Sequence, residues 1–287
     1  MSAQILDGRA LGAAIKAELK ARASQRANEL GWPPGLAIVR VGEEAASVFY
    51  TRQLLRVAAE IGIEARLALL ESEHTADETL REEITRLNKD ARIQGILIQM
   101  PLPPHLSQQT AANAIASTKD VDGISPRSAG NLFLGLPSFV PSTCAAVIEV
   151  LDRAGINPAG KRVVVVGYSN VVGKPLSFLL LQRNATVTIC GKQTTDLGAM
   201  TRQGDILISA AGVAGLITAE MVKPGAAVID VGINVKPEGG VMGDVNFEAV
   251  KEVAGAITPV PGGIGQLTNL MVMKQTIEFQ YPQSGSS

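Results

Sequence analysis

The stretch 167–175, Gly-Tyr-Ser-Asn-Val-Val-Gly-Lys-Pro, contains residue types that can bind a phosphate group. It follows the apolar run Arg162–Val166, and Pro175 suits the first turn of a helix, where a missing N–H has little consequence. Gly167 permits a sharp turn after a strand. Gly173 lets a phosphate approach the helix N-terminus, where free N–H groups and the helix dipole favour an anion. Because the glycine spacing differs from the usual dinucleotide fingerprint, the stretch alone also fits a plain tight turn.

The residues after the next predicted strand bear on which dinucleotide would bind. That strand ends in Thr-Ile-Cys-Gly-Lys-Gln at 188–193, whereas an NAD-selective site usually places an acidic residue there for the ribose 2′-hydroxyl. Lys192 instead supplies a positive charge for a 2′-phosphate. We therefore predict NADP as the cofactor, with NAD as the alternative. An ordinary surface lysine is the competing interpretation of Lys192.

A third segment, 258–265, reads Thr-Pro-Val-Pro-Gly-Gly-Ile-Gly. Two prolines fix φ and three glycines permit close backbone approach, so the segment makes a poor strand and a worse helix. Such a shaped backbone is suited to lying against a flat ligand or a dinucleotide. Taken alone, it also fits a surface loop.

Composition and charge argue against several kinds of function. The chain has 287 residues, 46% of them hydrophobic, and 26 basic residues nearly balance 27 acidic ones. Without a basic field, nucleic acid and anionic membranes are not expected partners. Two histidines and two widely separated cysteines leave little for a metal site, so we predict none. The few cysteines and an N-terminal sequence without a secretory layout predict a cytoplasmic protein.

Short apolar runs alternate with amphipathic stretches, which predicts an α/β fold with mainly parallel sheets. Runs that are apolar at every position, such as Val-Val-Val-Val at 163–166, are typical of strands covered on both faces. The predicted strands are 36–41, 64–69, 96–99, 162–166, 185–189, 205–209 and 226–231. The predicted helices are 45–60, 76–89, 143–154 and 267–279. A Gly/Pro-containing stretch at 134–141 separates the two halves.

Four motifs, in this order, resemble those of the FolD family, the methylenetetrahydrofolate dehydrogenase/methenyltetrahydrofolate cyclohydrolases. They are 95–103 (Gly-Ile-Leu-Ile-Gln-Met-Pro-Leu-Pro), 119–123 (Lys-Asp-Val-Asp-Gly), 167–175 and 258–265. The resemblance covers nearly the whole chain. It implies two parallel-sheet α/β domains, the second Rossmann-like, with a cleft between them, and a homodimer formed through the cofactor domain.

The resemblance also implies a discontinuous first domain, because the last helix of the family returns to it. We therefore predict a catalytic, folate-binding domain at 1–140 plus 264–287, and an NAD(P)-binding domain at 141–263. The end of the chain, 283–287, is predicted to be disordered.

One position departs from the family pattern in a way that matters for chemistry. The family carries a serine, a tyrosine three residues later and a catalytic lysine four residues after that. Ser47 and Tyr50 match the first two, but the lysine position is Leu54. Arg52 and Arg56 point away from the face that Tyr50 and Leu54 share, and arginine cannot titrate near neutral pH.

The remaining site residues follow from the resemblance. Gln99 and Asp122 are implied to contact substrate, Asp122 by accepting hydrogen bonds from the pterin; with Tyr50 they form the predicted catalytic set. Judged without the family, Gln99 fits a loop cap and Asp122 a turn residue before glycine. The predicted substrate-binding residues are Ser47, Tyr50, Ile98, Gln99, Met100, Asp122, Pro261, Gly262 and Gly265. The predicted cofactor-binding residues are Gly167, Tyr168, Ser169, Val171, Gly173, Lys192, Ala210, Gly212, Ile233 and Thr268.

The family performs two reactions that make different demands on the protein. Oxidation of methylenetetrahydrofolate relies on the cofactor, with the protein supplying orientation and electrostatics. Hydrolysis of the methenyl product needs an activated water and proton movement, which a leucine cannot provide. We therefore predict an NADP-dependent methylenetetrahydrofolate dehydrogenase of one-carbon metabolism with reduced or lost cyclohydrolase activity. The alternatives are a non-catalytic folate- or nucleotide-binding paralogue and an oxidoreductase acting on another pterin or small molecule.

Overall fold

The computed structural model describes residues 2–237 and 239–278, and its contacts divide the chain into two units. The six-stranded unit comprises the chain up to Ala13 together with Thr143–Thr268. The three-stranded unit comprises Ala14–Ser142 together with the chain from Asn269 onward. The predicted disordered segment 283–287 lies outside the described residues.

The described residues alternate strands and helices. In chain order the strands are β1 (Gln4–Ile5), β2 (Gly35–Val41), β3 (Glu64–Leu70), β4 (Gly95–Ile98), β5 (Arg162–Val166), β6 (Thr186–Cys190), β7 (Ile206–Ser209), β8 (Ala227–Asp230), β9 (Asn234–Val235), β10 (Val241–Met242) and β11 (Ala256–Ile257). The α-helices are α1 (Gly8–Leu30), α2 (Ala45–Ile61), α3 (Asp77–Lys89), α4 (Gln108–Ala114), α5 (Pro126–Leu134), α6 (Ser142–Arg153), α7 (Gly173–Gln182), α8 (Leu197–Thr201), α9 (Phe247–Val250) and α10 (Thr268–Glu278). None of these helices is long and apolar enough to cross a membrane.

The three-stranded unit is built on a parallel sheet of order β3-β2-β4. All residues of the central strand β2 are buried, as its apolar sequence predicts for a strand covered on both faces. Side chains from β2 and β4, including Val39 and Ile96, form one hydrophobic cluster with Leu80 and Ile84 of α3. Burial of such side chains contributes about 1.5–3 kcal/mol each. The packing therefore fixes the carboxyl ends of β2 and β4 at one edge of the sheet.

Helix α2 begins at this edge, directly after β2. The carboxylate of Glu44 accepts hydrogen bonds from the Ala46 and Ser47 backbone N–H groups, at 3.1 and 2.8 Å, and so caps the helix N-terminus. Gly62 ends the helix in the left-handed conformation, with φ of 97°, and donates to the carbonyl of Ala58.

The six-stranded unit contains a fully parallel sheet of order β1-β11-β8-β7-β5-β6. Its central strands β5, β7 and β8 are buried almost throughout. One face contributes Val164, Leu207, Val228 and Ile257 to a single hydrophobic cluster. Parallel strands leave their carboxyl ends at a common edge, where an open α/β sheet binds its ligands.

The predicted strands and helices correspond to β2 to β8 and to α2, α3, α6 and α10, with ends that differ by one or two residues. Gln99, predicted as the end of the third strand, lies one residue beyond β4. Helix α1 was not predicted, because its sequence is rich in alanine and polar residues. Of its hydrophobic side chains, only Ile15, Leu19 and Ala23 are buried.

The grouping by contacts differs from the predicted domain boundaries near the N-terminus. Strand β1 pairs with β11, which places the chain up to Ala13 in the six-stranded unit rather than with the folate-binding half. Two-residue strands such as β1 and β11 are too short to give a pattern in the sequence. The boundaries of the functional domains stay a prediction.

Gln275 of α10 ties this helix to two other segments of the three-stranded unit. Its amide nitrogen donates to the carbonyls of Val121 and Val140, at 2.8 and 2.9 Å, and its amide oxygen accepts from the Val140 N–H at 2.9 Å. The side chain thus satisfies three backbone groups. One belongs to Val121, next to Asp122, and two belong to Val140, just before α6.

We expect Gln275→Leu to lower the free energy of unfolding by about 2–4 kcal/mol, because partly buried backbone groups lose their partners at about 1–3 kcal/mol each. Urea denaturation measures the change. Gln203→Leu is the matched control: Gln203 is exposed and its amide bonds only the Ala199 carbonyl of its own turn, so a change within about 0.5 kcal/mol is expected. Equal effects of the two substitutions would contradict the stabilising role of the Gln275 hydrogen bonds.

Candidate active site

A glycine-lined turn joins β5 to α7 at the carboxyl edge of the six-stranded sheet. Gly167 has φ of 110°, and a Cβ on it would lie 2.2 Å from the Ala210 carbonyl oxygen. A Cβ on Gly173 would lie 2.0 Å from the Gly167 carbonyl oxygen. Both positions therefore require glycine, and α7 begins at Gly173 as predicted. The turn and the N-terminus of this helix fit a phosphate.

A cavity of about 750 Å³ opens beside this turn. Its walls come from the residues that follow β5, β6 and β7. They include Gly167, Tyr168, Ser169, Asn170, Lys174, Gly191, Lys192, Ala210, Ala211 and Val213. A crevice across the ends of three parallel strands, with two lysines in its wall, fits an extended anionic dinucleotide. Of the other predicted cofactor residues, Val171 is exposed within the turn and Thr268, half-buried, donates to the Gly265 carbonyl at 3.4 Å.

The ring of Tyr168 lies against the chain after β6. The side chain is 54% exposed, and a Cβ on Gly191 would lie 1.9 Å from its ring. The next residue, Lys192, is exposed. The residues present at the 2′ end of the predicted ribose site are therefore a phenol ring and an ammonium, with no carboxylate at 188–193.

The loops after β7 and β8 carry the predicted cofactor residues Ala210, Gly212 and Ile233. Asp244, which has no distinctive signal in the sequence, forms hydrogen bonds with the loop after β7 and with Asn234, which follows the loop after β8. It is completely buried and accepts hydrogen bonds from the Ala211, Gly212 and Val213 backbone N–H groups. In the sequence Asp244 follows Gly243 in a turn-like context, so it resembles an ordinary turn aspartate. Only the fold brings it beneath the 211–213 loop.

Asp230, at the end of β8, is buried. Its carboxylate accepts hydrogen bonds from the backbone N–H groups of Gly232, Asp244 and Val245, at 2.9, 3.0 and 2.9 Å. Burial raises the pKa of Asp230 to about 6, against the opposing effect of these hydrogen bonds, and the nearby Asp244 adds to the increase.

The segment 258–265 leaves β11 at the same edge of the six-stranded sheet. The hydroxyl of Thr258 accepts a hydrogen bond from the Asp230 N–H at 2.8 Å, and the Gly262 carbonyl accepts from the Gly8 N–H at 2.8 Å. Gly262 has φ of 114° and is buried, whereas Pro261 and Gly265 are exposed. The segment is neither a strand nor an α-helix, as predicted. Its contact with folate stays a prediction.

The other predicted site residues lie in the three-stranded unit, and two of them, Ser47 and Tyr50, are on α2. Ser47 is buried and Tyr50 is half-buried. Leu54 is 0% exposed and lies on the buried face of the helix with Ser47 and Thr51. Arg52 and Arg56, the two cations of α2, are exposed, as predicted from their spacing. The helix therefore presents no cation at the family's lysine position.

Gln99 and Met100 follow β4 directly. The Gln99 amide nitrogen donates to the Met100 carbonyl at 3.0 Å, while its amide oxygen is buried and has no hydrogen-bond partner among the described residues. A buried acceptor without a partner costs about 1–3 kcal/mol, which a ligand donor would recover. The side chain of Ile98 belongs to the hydrophobic cluster of this unit, so it supports the strand end.

The motif 119–123 divides into residues that build the loop and one that remains for a ligand. Lys119 donates to the Leu87 and Asp90 carbonyls at the end of α3. Asp120 is completely buried and accepts from the Ser125 N–H at 2.8 Å, with further bonds to Ile124 N–H and the Ser128 hydroxyl. Both side chains are therefore structural.

Asp122 is half-buried, and one of its oxygens accepts from the Ser142 N–H at 3.0 Å. Desolvation raises the pKa of this carboxyl above its usual value. The pairing of Asp120 with Ile96 beside β4 is parallel, so Asp122 emerges at the same sheet edge as Gln99. The start of α2 is at this edge as well, and the three-stranded unit thus gathers its predicted substrate residues at one end of its sheet.

Comparisons with known proteins agree with this geometry in both halves of the chain. The sequence model of the tetrahydrofolate dehydrogenase/cyclohydrolase catalytic domain matches residues 6–122, and that of the corresponding NAD(P)-binding domain matches residues 141–283. The chain is 49% identical over 278 residues to the bifunctional protein FolD of Moorella thermoacetica, with 97% of this chain and 99% of the relative covered. The chain belongs to the tetrahydrofolate dehydrogenase/cyclohydrolase family.

Solved structures of this family have the same fold. The bifunctional enzyme FolD from Campylobacter jejuni superposes with a TM-score of 0.93 at 40% identity, covering 96% of this chain and 98% of that one. The Trypanosoma brucei methylenetetrahydrofolate dehydrogenase-cyclohydrolase, solved with NADP and an inhibitor, gives a TM-score of 0.90 at 36% identity, covering 96% of each chain. The predicted family, the two-domain α/β fold and the NAD(P)-binding half are confirmed. The roles of individual site residues stay predictions.

The raised pKa of Asp230 predicts a specific dependence of stability on pH. Since the pKa in the folded state, about 6, lies above the value of an unfolded aspartate, the folded state binds more protons between about pH 4 and pH 6. The contribution of Asp230 to the free energy of unfolding therefore falls by about 3 kcal/mol as the pH rises through this window. Denaturation of the wild type and of Asp230→Asn over this range measures the difference.

Asp205→Asn is a control of opposite sign. The hydrogen bond from Lys223 and that from the Arg162 N–H lower the pKa of Asp205, so its stabilising contribution is lost as the pH falls. A difference between wild type and Asp230→Asn that stays constant from pH 4 to pH 6 would contradict the prediction.

Proposed function

We propose that this chain is an NADP-dependent methylenetetrahydrofolate dehydrogenase whose cyclohydrolase activity is strongly reduced. The observation that carries the proposal is Leu54: the family's lysine position holds a fully buried hydrocarbon side chain while the crevice for the dinucleotide is retained. The two reactions of the family are therefore expected to separate in this chain. Its proposed role is in one-carbon metabolism, in the cytoplasm.

The dinucleotide-binding residues are proposed to fit NADP along the crevice. Gly167 and Gly173 leave room for the pyrophosphate at the N-terminus of α7, and Lys192 faces the 2′-phosphate. When bound, NADP accepts the two electrons and the hydrogen that leave the methylene carbon of the substrate. The protein contributes orientation and exclusion of water, which need no proton donor at position 54.

The folate-binding residues are proposed to lie at the carboxyl edge of the three-stranded sheet. Asp122 would accept hydrogen bonds from the pterin, because the two oxygens of a carboxylate suit an amino group next to a ring N–H. The Ser142 N–H uses one acceptor position of this carboxylate, which has further lone pairs for a ligand. The unpaired amide oxygen of Gln99 offers a further acceptor, and Tyr50 and Ser47 offer hydroxyl groups. In the six-stranded unit, Pro261, Gly262 and Gly265 are likewise proposed to bind folate.

Hydrolysis of the methenyl product requires a group that moves protons beside the reacting carbon. The family's lysine position on α2 supplies no such group, because Leu54 cannot ionise and both arginines of the helix are exposed. General acid–base catalysis is worth about 10²–10⁴-fold, which sets the size of the expected loss.

A non-catalytic folate- or nucleotide-binding protein is the second candidate, and Leu54 favours it as well. The two candidates differ in whether methylenetetrahydrofolate is oxidised when NADP is present. Like the family, the chain is proposed to form a homodimer through its cofactor domain, whose edge strand β6 exposes Ile189.

We expect the wild-type protein to oxidise methylenetetrahydrofolate with NADP, and Leu54→Lys to increase hydrolysis of methenyltetrahydrofolate by about 10²-fold or more. Absorbance of the methenyl group follows both reactions. Leu54→Met is the matched control, because it keeps an apolar side chain of similar volume and is expected to leave hydrolysis at the wild-type rate. Wild-type hydrolysis as fast as that of Leu54→Lys would contradict the proposed loss. Ligand binding without any oxidation would favour the non-catalytic candidate.

Lys192→Ala is expected to raise KM for NADP by about 10–100-fold and to leave KM for NAD unchanged, because a charge-assisted hydrogen bond is worth about 1.5–3 kcal/mol. Steady-state kinetics with both cofactors measures the ratio. Lys161→Ala, which removes an exposed lysine before the amino end of β5, serves as control. An equal change for NADP and NAD would exclude a role for Lys192 at the 2′-phosphate.

A further inference from the structure

The carboxylate of Asp244 accepts five hydrogen bonds from three separate segments of the six-stranded unit. One oxygen, Oδ2, accepts from the Ser209 hydroxyl and from the N–H groups of Ala211 and Gly212, at 3.0, 2.7 and 3.1 Å. The other oxygen, Oδ1, accepts from the Val213 N–H at 2.9 Å and from the Asn234 amide at 3.0 Å. The end of β7, the loop after it and β9 are thus held by one buried side chain.

Asp244 is itself fixed by the carboxylate at the end of β8. Asp230 accepts from the backbone N–H groups of Asp244 and Val245, and so holds the backbone that carries the Asp244 side chain. Two glycines allow this approach: a Cβ on Gly232 would lie 2.2 Å from Asp244 Oδ1, and a Cβ on Gly243 would lie 1.9 Å from Asp230 Oδ2. A side chain at either glycine would displace the carboxylate beside it.

The loop that Asp244 holds forms one wall of the dinucleotide crevice, since Ala211 and Val213 line the cavity. In a fold of this type the pyrophosphate lies at the helix after the first strand and the adenosine ribose lies beyond the second strand. These positions correspond here to α7 and to Lys192 after β6. The wall after β7, on the other side of β5, therefore remains for the nicotinamide half.

The 211–213 loop cannot itself serve as a phosphate site. Successive backbone N–H groups that converge on one point bind anions, but here the three groups are already bonded to Asp244. The protein's own carboxylate thus fills the anion position and leaves the outer surface of the loop for the nicotinamide ring, which carries no phosphate. The position of that surface depends on where Asp244 holds the three N–H groups.

We propose that Asp244 is a positioning residue for the nicotinamide half of the cofactor, acting through the 211–213 loop. The proposal rests on the proposed function, because it requires NADP to occupy the crevice. Asp244 touches neither the cofactor nor the substrate in this role; it sets the wall against which the ring that takes part in the reaction lies. Among the described residues, Lys192, at the proposed 2′-phosphate end, makes no hydrogen bond to this network.

Asp244→Asn tests the proposal, because the amide nitrogen cannot accept hydrogen bonds and must face donors on at least one side of the side chain. The probes are NADP and adenosine 2′,5′-bisphosphate, which lacks the nicotinamide half. We expect the Kd of NADP to rise about 10–100-fold, while the Kd of the bisphosphate changes less than about 2-fold. We also expect kcat for oxidation to fall, because the ring is misplaced even at saturation. Calorimetric titration and steady-state kinetics provide these values.

Asp205→Asn is the matched control in the same unit, with the same change of charge at a part-exposed site near the amino end of β7. It is expected to leave the affinities for both probes unchanged. If Asp244→Asn does not fold, Asn234→Ala tests the proposal instead, because it removes one donor to Asp244 from a half-buried position. This variant is expected to weaken NADP binding severalfold and to leave binding of the bisphosphate unchanged.

Equal weakening of both probes, or no weakening of either, in the folded variant overturns the proposal. For Asn234→Ala, unchanged NADP binding has the same meaning. A wild-type protein that binds neither probe would instead overturn the proposed function. If the wild type binds NADP without oxidising substrate, the dehydrogenase function is wrong, and the Kd values of the variants still test the role of Asp244. The two failures are therefore distinguishable.

Discussion

The loops at the carboxyl edge of the six-stranded sheet depend on two buried carboxylates, Asp230 and Asp244. Backbone N–H groups at the ends of parallel strands have no strand partner, and leaving them buried without an acceptor is costly. Here the acceptors are side chains rather than water, which gives the loops one fixed arrangement. This arrangement requires two carboxylates to be buried close together. Burial raises the pKa of Asp230, and the nearby Asp244 adds to the increase.

The same principle operates in the three-stranded unit with a different carboxylate. Asp120 binds the backbone of Ile124 and Ser125 and the hydroxyl of Ser128, and Lys119 closes the end of α3. These bonds leave Asp122 as the acidic group of the motif that is only half-buried. In both units, then, one aspartate holds a loop that carries predicted binding residues. The sequence alone does not show which of the two aspartates of the motif binds the loop and which remains partly accessible.

The proposed separation of the two reactions depends on one substitution in the helix that follows β2. Leu54 packs on the buried face of α2 beside Ser47, so the helix keeps its position without the family's lysine. A reaction that depends on orientation and on a bound cofactor needs the scaffold, and the scaffold is intact. A reaction that depends on proton transfer needs an ionisable group at this point, and hydrocarbon does not provide one.

The sequence by itself determined the alternation of strands and helices, the glycines at 167 and 173, and the replacement at position 54, because periodicity, backbone freedom and side-chain chemistry are local properties. It did not reveal α1, whose buried stripe is narrow, or the pairing of β1 with β11, because two residues carry no period. The role of Asp244 was decided only by the tertiary structure. Its five donors come from positions 209, 211, 212, 213 and 234, and nothing in a linear chain brings those groups to one carboxylate until the parallel sheet has formed.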